Sequence, residues 1–160
     1  MGTATATVAL LAIGTGTARA AESYYLHNYY SGLCAGVGSK TGNGAPVIQW
    51  GCNSAVDERW TFVSTTDSNG ARAYFVKNVY SGKCIGVGSS LAQGAGAIQY
   101  TCNGAVDEKW WYSGGYLRNV YSGKCLGVGS SGSPGRQLIQ WTCNGASDQV
   151  WTTTTATVPV

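Results

Sequence analysis

The chain of 160 residues has room for one ordinary domain. Glycine fills 24 positions, charged residues make up only 11 %, and hydrophobic residues make up 44 % with 6 Trp and 10 Tyr, a composition that excludes disorder. A net charge of +3 without a basic patch excludes a nucleic-acid binder, and 1 His with 7 acidic residues leaves little material for catalysis.

Taken in chain order, residues 8–14 (VALLAIG) form an apolar run too short to cross a bilayer, where about 20 apolar residues are needed. The run leads to Ala18-Arg19-Ala20, the small-x-small pattern that a signal peptidase accepts. Residues 1–20 are therefore expected to be a secretory signal cut before Ala21, although Arg19 stands at the wrong end for the usual basic start. The mature domain, residues 21–160, is expected to be secreted, to have no membrane span and to be a monomer. Export suits the cysteines. Cys34 and Cys52, Cys84 and Cys102, and Cys125 and Cys143 stand 18 positions apart in each case, and an oxidising compartment would let each pair close. Zinc is a poor alternative, because no C-x-x-C occurs and His27 alone cannot complete three sites; no metal and no cofactor are expected.

Three segments align without a gap. Residues 28–60 read NYYSGLCAGVGSKTGNGAPVIQWGCNSAVDERW, residues 78–110 read NVYSGKCIGVGSSLAQGAGAIQYTCNGAVDEKW, and residues 119–151 read NVYSGKCLGVGSSGSPGRQLIQWTCNGASDQVW. They define repeats of about 24–63, 73–112 and 115–154. Within them, Tyr-Ser-Gly-Lys at 80–83 and 121–124 predicts a tight turn between short strands. Residues 74–79, 85–87 and 97–100 are rich in strand formers bounded by Gly and Cys. Asp67-Ser68-Asn69-Gly70 predicts a turn in the long first connector. No segment keeps a helical apolar period, so the fold class is all-β, with about four strands per unit. One unit cannot bury a face alone, whereas three closing on a threefold axis give a barrel without free edges. Trp60, Trp110 and Trp151 recur at one position and are expected in its core.

The unit carries C-x-G-V early, I-Q-W/Y-x-C-N in its middle and D-E/Q-x-W at its end, and it resembles the ricin B-type lectin family, also called family 13 carbohydrate-binding modules. The full Gln-x-Trp signature stands at Gln149-Val150-Trp151, while the other units have Glu58-Arg59-Trp60 and Glu108-Lys109-Trp110. The resemblance implies a β-trefoil with up to three shallow sugar pockets. Its aromatic platform falls on Trp50, Tyr100 and Trp141, where a ring face would stack on a pyranose. Asn53, Asn103 and Asn144 follow the second cysteine as polar contacts. The family's Asn before the signature glutamine is replaced by Asp57, Asp107 and Asp148. Unit three, with Trp141, Asn144, Asp148 and Gln149, is the most complete.

One departure matters. The resemblance implies a sugar-binding Asp in C-L-D-V, and here Gly36, Gly86 and Gly127 occupy that position. Two readings stand: the carboxylate has moved across the pocket to Asp57, Asp107 and Asp148, or these residues merely cap a turn before the last strand. Equivalent carboxylates in three units should lie too far apart to pair as in a glycosidase, and the neighbours Asp57 and Glu58 should face opposite ways on an extended chain. His27 is expected to be a satisfied strand residue. The leading function is a secreted, non-enzymatic lectin for glycans or polysaccharide. The alternatives are a β-trefoil protease inhibitor acting through the irregular stretch 64–72, or a detached accessory module of a glycoside hydrolase.

Overall fold

Each repeat opens with an asparagine that turns the chain back on itself. Asn28 Oδ1 accepts the Tyr30 and Ser31 N–H groups, and Asn78 and Asn119 do the same at Tyr80 and Ser81 and at Tyr121 and Ser122. The glycine that ends each turn, Gly32, Gly82 or Gly123, has φ between 68° and 71°, a conformation that costs glycine little. The computed structural model describes residues 21–156; the expected signal, residues 1–20, and residues 157–160 lie outside them.

Among the described residues, twelve strands follow from three copies of one pattern. They are β1 (Tyr24–Asn28), β2 (Cys34–Gly36), β3 (Ile48–Trp50), β4 (Arg59–Thr66), β5 (Arg72–Asn78), β6 (Cys84–Gly86), β7 (Ile98–Tyr100), β8 (Lys109–Ser113), β9 (Tyr116–Asn119), β10 (Cys125–Gly127), β11 (Ile139–Trp141) and β12 (Trp151–Thr155). Antiparallel pairs β12–β1, β1–β4, β4–β5, β5–β8 and β8–β9 make a barrel wall, and Trp151 N–H closes it onto Gly115 O at 2.8 Å. The hairpins β2–β3, β6–β7 and β10–β11 cap one end. There Val47 N–H bonds to Ala97 O, Ala97 N–H to Leu138 O and Leu138 N–H to Val47 O, a closed ring of 2.8–3.0 Å bonds with one member from each repeat. The architecture is a β-trefoil.

The core is threefold as well. Trp60, Trp110 and Trp151 are fully buried, and their indole N–H groups donate to Ala35, Ile85 and Leu126 carbonyls at 2.9 Å. Leu26, Val76 and Leu117 pack with them. Burying about 200 Å² of aromatic surface contributes about 5 kcal/mol per ring as an upper bound. All three disulfides join the cysteines that the common spacing pairs.

Two local expectations change. The stretch 64–72 is regular: β4 and β5 pair through Thr66 and Arg72, and only the Asp67–Ala71 tip turns. Asp67 Oδ1 accepts the Asn69 and Ala71 N–H groups, and Trp111 Nε1–H donates to Asp67 Oδ2, so this tip is tied to the body. The neighbours Asp57 and Glu58 lie in a one-turn 3-10 segment, Val56–Glu58, rather than an extended chain. That turn carries Asp57 to the cleft wall, where it meets Ser39, and buries Glu58 under the Asn53 loop.

Candidate functional site: repeated clefts beside the capping hairpins

Strand alternation sets the platforms. In Ile48–Trp50 the central Gln49 points inward and is fully buried, so Trp50 must face outward, and it is 49 % exposed. Tyr100 and Trp141 stand in the same register, at 44 % and 42 % exposed. The inward glutamines carry this geometry between repeats. Gln49, Gln99 and Gln140 donate Nε2 to the Ser131, Lys40 and Ser90 carbonyls of neighbouring repeats at 2.7–2.8 Å. Neighbouring turns also back the rings, since an added Cβ on Gly135 would lie 3.4 Å from Trp50 and one on Gly94 would lie 3.5 Å from Trp141.

The opposite wall is the G-V-G-S segment. In unit one Gly38 and Ser39 both have positive φ, which aims the Ser39 N–H at the Asp57 carboxylate; Oδ2 accepts it at 3.0 Å. Asp107 accepts Ser89 N–H at 3.1 Å and Asp148 accepts Ser130 N–H at 3.2 Å in the same way. The alanine that precedes each 3-10 turn supplies no side-chain cap, and each aspartate ties its turn to the G-V-G-S segment across the cleft.

That reach explains the glycine substitution. A Cβ on Gly86 would meet Asp107 Oδ2 at 3.2 Å, and one on Gly127 would meet Asp148 Oδ2 at 3.4 Å. On Gly36 it would meet Glu58 Cγ at 3.2 Å and Asp57 O at 3.4 Å. The 3-10 turn, through the aspartate and the signature residue after it, crowds the space that a side chain at the glycine would enter.

Trp50, Asn53 and Asp57 line a cleft of about 530 Å³ with Gly36, Ser39 and Lys40. Tyr100, Asn103 and Asp107 line one of about 200 Å³ with Gly86 and Ser89. Unit three repeats the contacts of Asp148 and keeps Trp141 and Asn144 exposed. The asparagine oxygens are engaged locally: Asn53, Asn103 and Asn144 Oδ1 accept the N–H two residues on, at 2.9–3.0 Å. Gln149 does not face the cleft. It is 1 % exposed, with Oε1 on Asn144 N–H and Nε2 on Thr142 O, so it supports the loop that carries Asn144.

Glu58 and Glu108, absent from the sequence-derived set, hold the equivalent places and are each 2 % exposed. Their signal was the glutamate at the signature position. Burial raises the pKa of both, and the adjacent Asp57 or Asp107 pushes the same way against the N–H bonds they accept. His27 Nδ1 lies 3.4 and 3.3 Å from the sulfurs of Cys34 and Cys52, and its Nε2 shares a 2.8 Å hydrogen bond with Thr154. Both sulfurs belong to a disulfide, so this cluster offers no thiolate to a metal. A separate recess of about 580 Å³ is lined by Tyr24, Phe62, Tyr74 and Tyr112 on the barrel strands.

A profile of the ricin-type beta-trefoil lectin domain matches residues 22–151. A designed 3-fold symmetric protein, ThreeFoil, is 31 % identical with a TM-score of 0.74, over 82 % of this chain and 96 % of that one. An exo-beta-1,3-galactanase from Clostridium thermocellum is 27 % identical with a TM-score of 0.75, over 84 % of this chain and 30 % of that one. The C-half of an earthworm R-type lectin, solved with GalNAc, shares the fold at 16 % identity and a TM-score of 0.63, over 84 % and 98 %. No curated protein matches the sequence.

Proposed function

Because the chain belongs to the ricin-type beta-trefoil lectin domain family, we propose that it is a secreted, non-enzymatic carbohydrate-binding protein with one shallow site in each repeat. The observation that carries this reading is the juxtaposition of an exposed ring and a carboxylate across the unit-one and unit-two clefts, Trp50 with Asp57 and Tyr100 with Asp107. A ring face offers the apolar contact that a pyranose C–H face needs, and a carboxylate is a strong acceptor for its hydroxyls. Asp57, Asp107 and Asp148 take the place of the acceptor lost at Gly36, Gly86 and Gly127.

Binding without catalysis is favoured by the state of the second acid in the unit-one cleft. Glu58 is buried and engaged with the Asn53 N–H, where a glycosidase needs two working carboxyls about 5–9.5 Å apart on either side of a glycosidic bond. The disulfides suit an extracellular site. The likeness to the galactanase makes polysaccharides, β-1,3-galactan among them, natural first ligands.

The test is a glycan and polysaccharide array probed with the disulfide-bonded chain and with Trp50→Ala, Tyr100→Ala and Trp141→Ala. Binding that weakens in each variant supports a site per unit. An array silent throughout, or binding indifferent to all three, overturns the proposal.

A further inference from the structure

The first two clefts rest on a buried acid where the third has an amide. Gln149 ties together both ends of the loop that carries Asn144: Oε1 accepts Asn144 N–H at 3.2 Å, and Nε2 donates to Thr142 O at 3.0 Å. The gap-free register puts Glu58 and Glu108 at that position, and Gly51 and Thr101 where Thr142 stands. The acceptor half of the clamp is kept, since Glu58 Oε2 accepts Asn53 N–H at 3.1 Å and Glu108 Oε2 accepts Asn103 N–H at 3.0 Å. The donor half is missing from a carboxylate. Glu58 Oε1, the counterpart of Gln149 Nε2, is buried without a hydrogen-bond partner. By the register of unit three a backbone carbonyl stands opposite that oxygen; two such acceptors repel, whereas a carboxylic acid supplies the O–H that satisfies both.

We infer that Glu58, whose Oε1 is the orphaned atom, and by the repeat register Glu108 act as protonated positioning residues: each donates its acid proton to the Gly51 or Thr101 carbonyl and clamps the asparagine loop of its cleft. Deprotonation breaks the donor half of each clamp, so the first two clefts loosen as pH rises while the third, built on Gln149, does not. This deepens the lectin reading by assigning pH regulation to two of its three sites.

Burial and the adjacent aspartates favour the acid form, against the N–H groups that favour the charged form, Asn53 at Glu58 and Asn103 and Gly104 at Glu108. Asp57 adjoins Glu58, and Asp107 adjoins Glu108. Lys40 lies on the wall of the unit-one cleft. Arg59 is turned to Tyr25 Oη and the Ser54 carbonyl, and Lys109 to the Thr66 carbonyl. From β2 and β6 the neighbours are Gly36 and Gly86, and from β5 and β9 the side chains of Asn78 and Asn119, which donate to Asp57 O and Asp107 O.

The experiment is an NMR titration of the disulfide-bonded chain, following the glutamate side-chain carboxyl carbons and the backbone amides of Asn53, Asn103 and Asn144. The inference expects Glu58 and Glu108 to titrate at higher pH folded than in the urea-unfolded chain. Asn53 and Asn103 amides should shift with the same midpoints, and the Asn144 amide should stay flat. Glu58→Gln should fold, hold the Asn53 amide flat and leave the Asn103 titration in place. Folded midpoints at or below the unfolded ones, or an Asn53 amide equally pH-dependent in Glu58→Gln, would overturn it. These readouts need no sugar, so a chain that binds no polysaccharide would refute the lectin reading without bearing on the clamp.

Discussion

At the scale of the residue, Gly36, Gly86 and Gly127 looked like lost ligands in the sequence, and the structure makes them half of an exchange. The other half is Asp57, Asp107 and Asp148, whose side chains or backbone fill the space beside them. Restoring an aspartate at the glycine should therefore crowd a carboxylate rather than add a ligand. Gly86→Asp is expected to lower stability by about 1–3 kcal/mol in denaturant unfolding, as overpacking does, and to lose less when Asp107→Gly is present. If the carboxylates bind sugar, changing all three aspartates to Asn should weaken binding about tenfold per site, the scale of one charge-assisted hydrogen bond, with full affinity the contrary result. Gln149 was legible as part of a signature, but not that its amide is buried under the loop. A sequence names the residue at a site and does not say which side of a turn it faces.

At the scale of the element, the strands were legible because Ile98-Gln99-Tyr100 and its counterparts alternate inside and outside between Gly and Cys. The Asp67 turn was legible because Asp-Ser-Asn-Gly bonds its own backbone. The 3-10 turns were missed, since three residues such as Val56–Glu58 carry no periodicity and their preceding alanine supplies no cap. The consequence is electrostatic. Those turns bury Glu58 and Glu108, whose folded pKa values lie above the ordinary 4.5 because burial penalises the charged form. The folded state then holds protons that the unfolded chain has released, so stability is full below the ordinary glutamate value and falls as pH rises through the window up to the raised values. Denaturant midpoints should be lower at pH 8 than at pH 5, and Glu58→Gln with Glu108→Gln should flatten that slope. A wild-type midpoint that rises over this range would contradict the assignment.

At the scale of the whole molecule, the repeat was the most readable feature, because three gap-free copies fix the strand count, the disulfides and the threefold closure together. Less readable was how the repeats hold one another. The Val47, Ala97 and Leu138 ring and the Gln49, Gln99 and Gln140 bridges join residues far apart in sequence. The disulfides add loop constraints of about 3 kcal/mol each in the chain-entropy model, comparable together with the whole stability of a domain this size. Reduction should thus lower the thermal midpoint by tens of degrees or abolish the transition, and an unchanged melt would show the barrel alone to be sufficient. Three sites on one rigid barrel should also favour a repetitive polymer over its free monosaccharide through effective concentration.

The most direct test of a carbohydrate-binding trefoil is the affinity of the wild-type chain and of a triple Trp50→Ala, Tyr100→Ala, Trp141→Ala variant for soluble polysaccharides, measured by affinity electrophoresis in gels containing β-1,3-galactan, xylan or another array-selected polymer. The rings are exposed, so the variant should keep the wild-type fold by circular dichroism. The structure predicts a wild-type chain retarded by at least one polymer and a triple variant that migrates as if no polymer were present. Equal retardation of both, or a wild-type chain that no polymer retards, would contradict it.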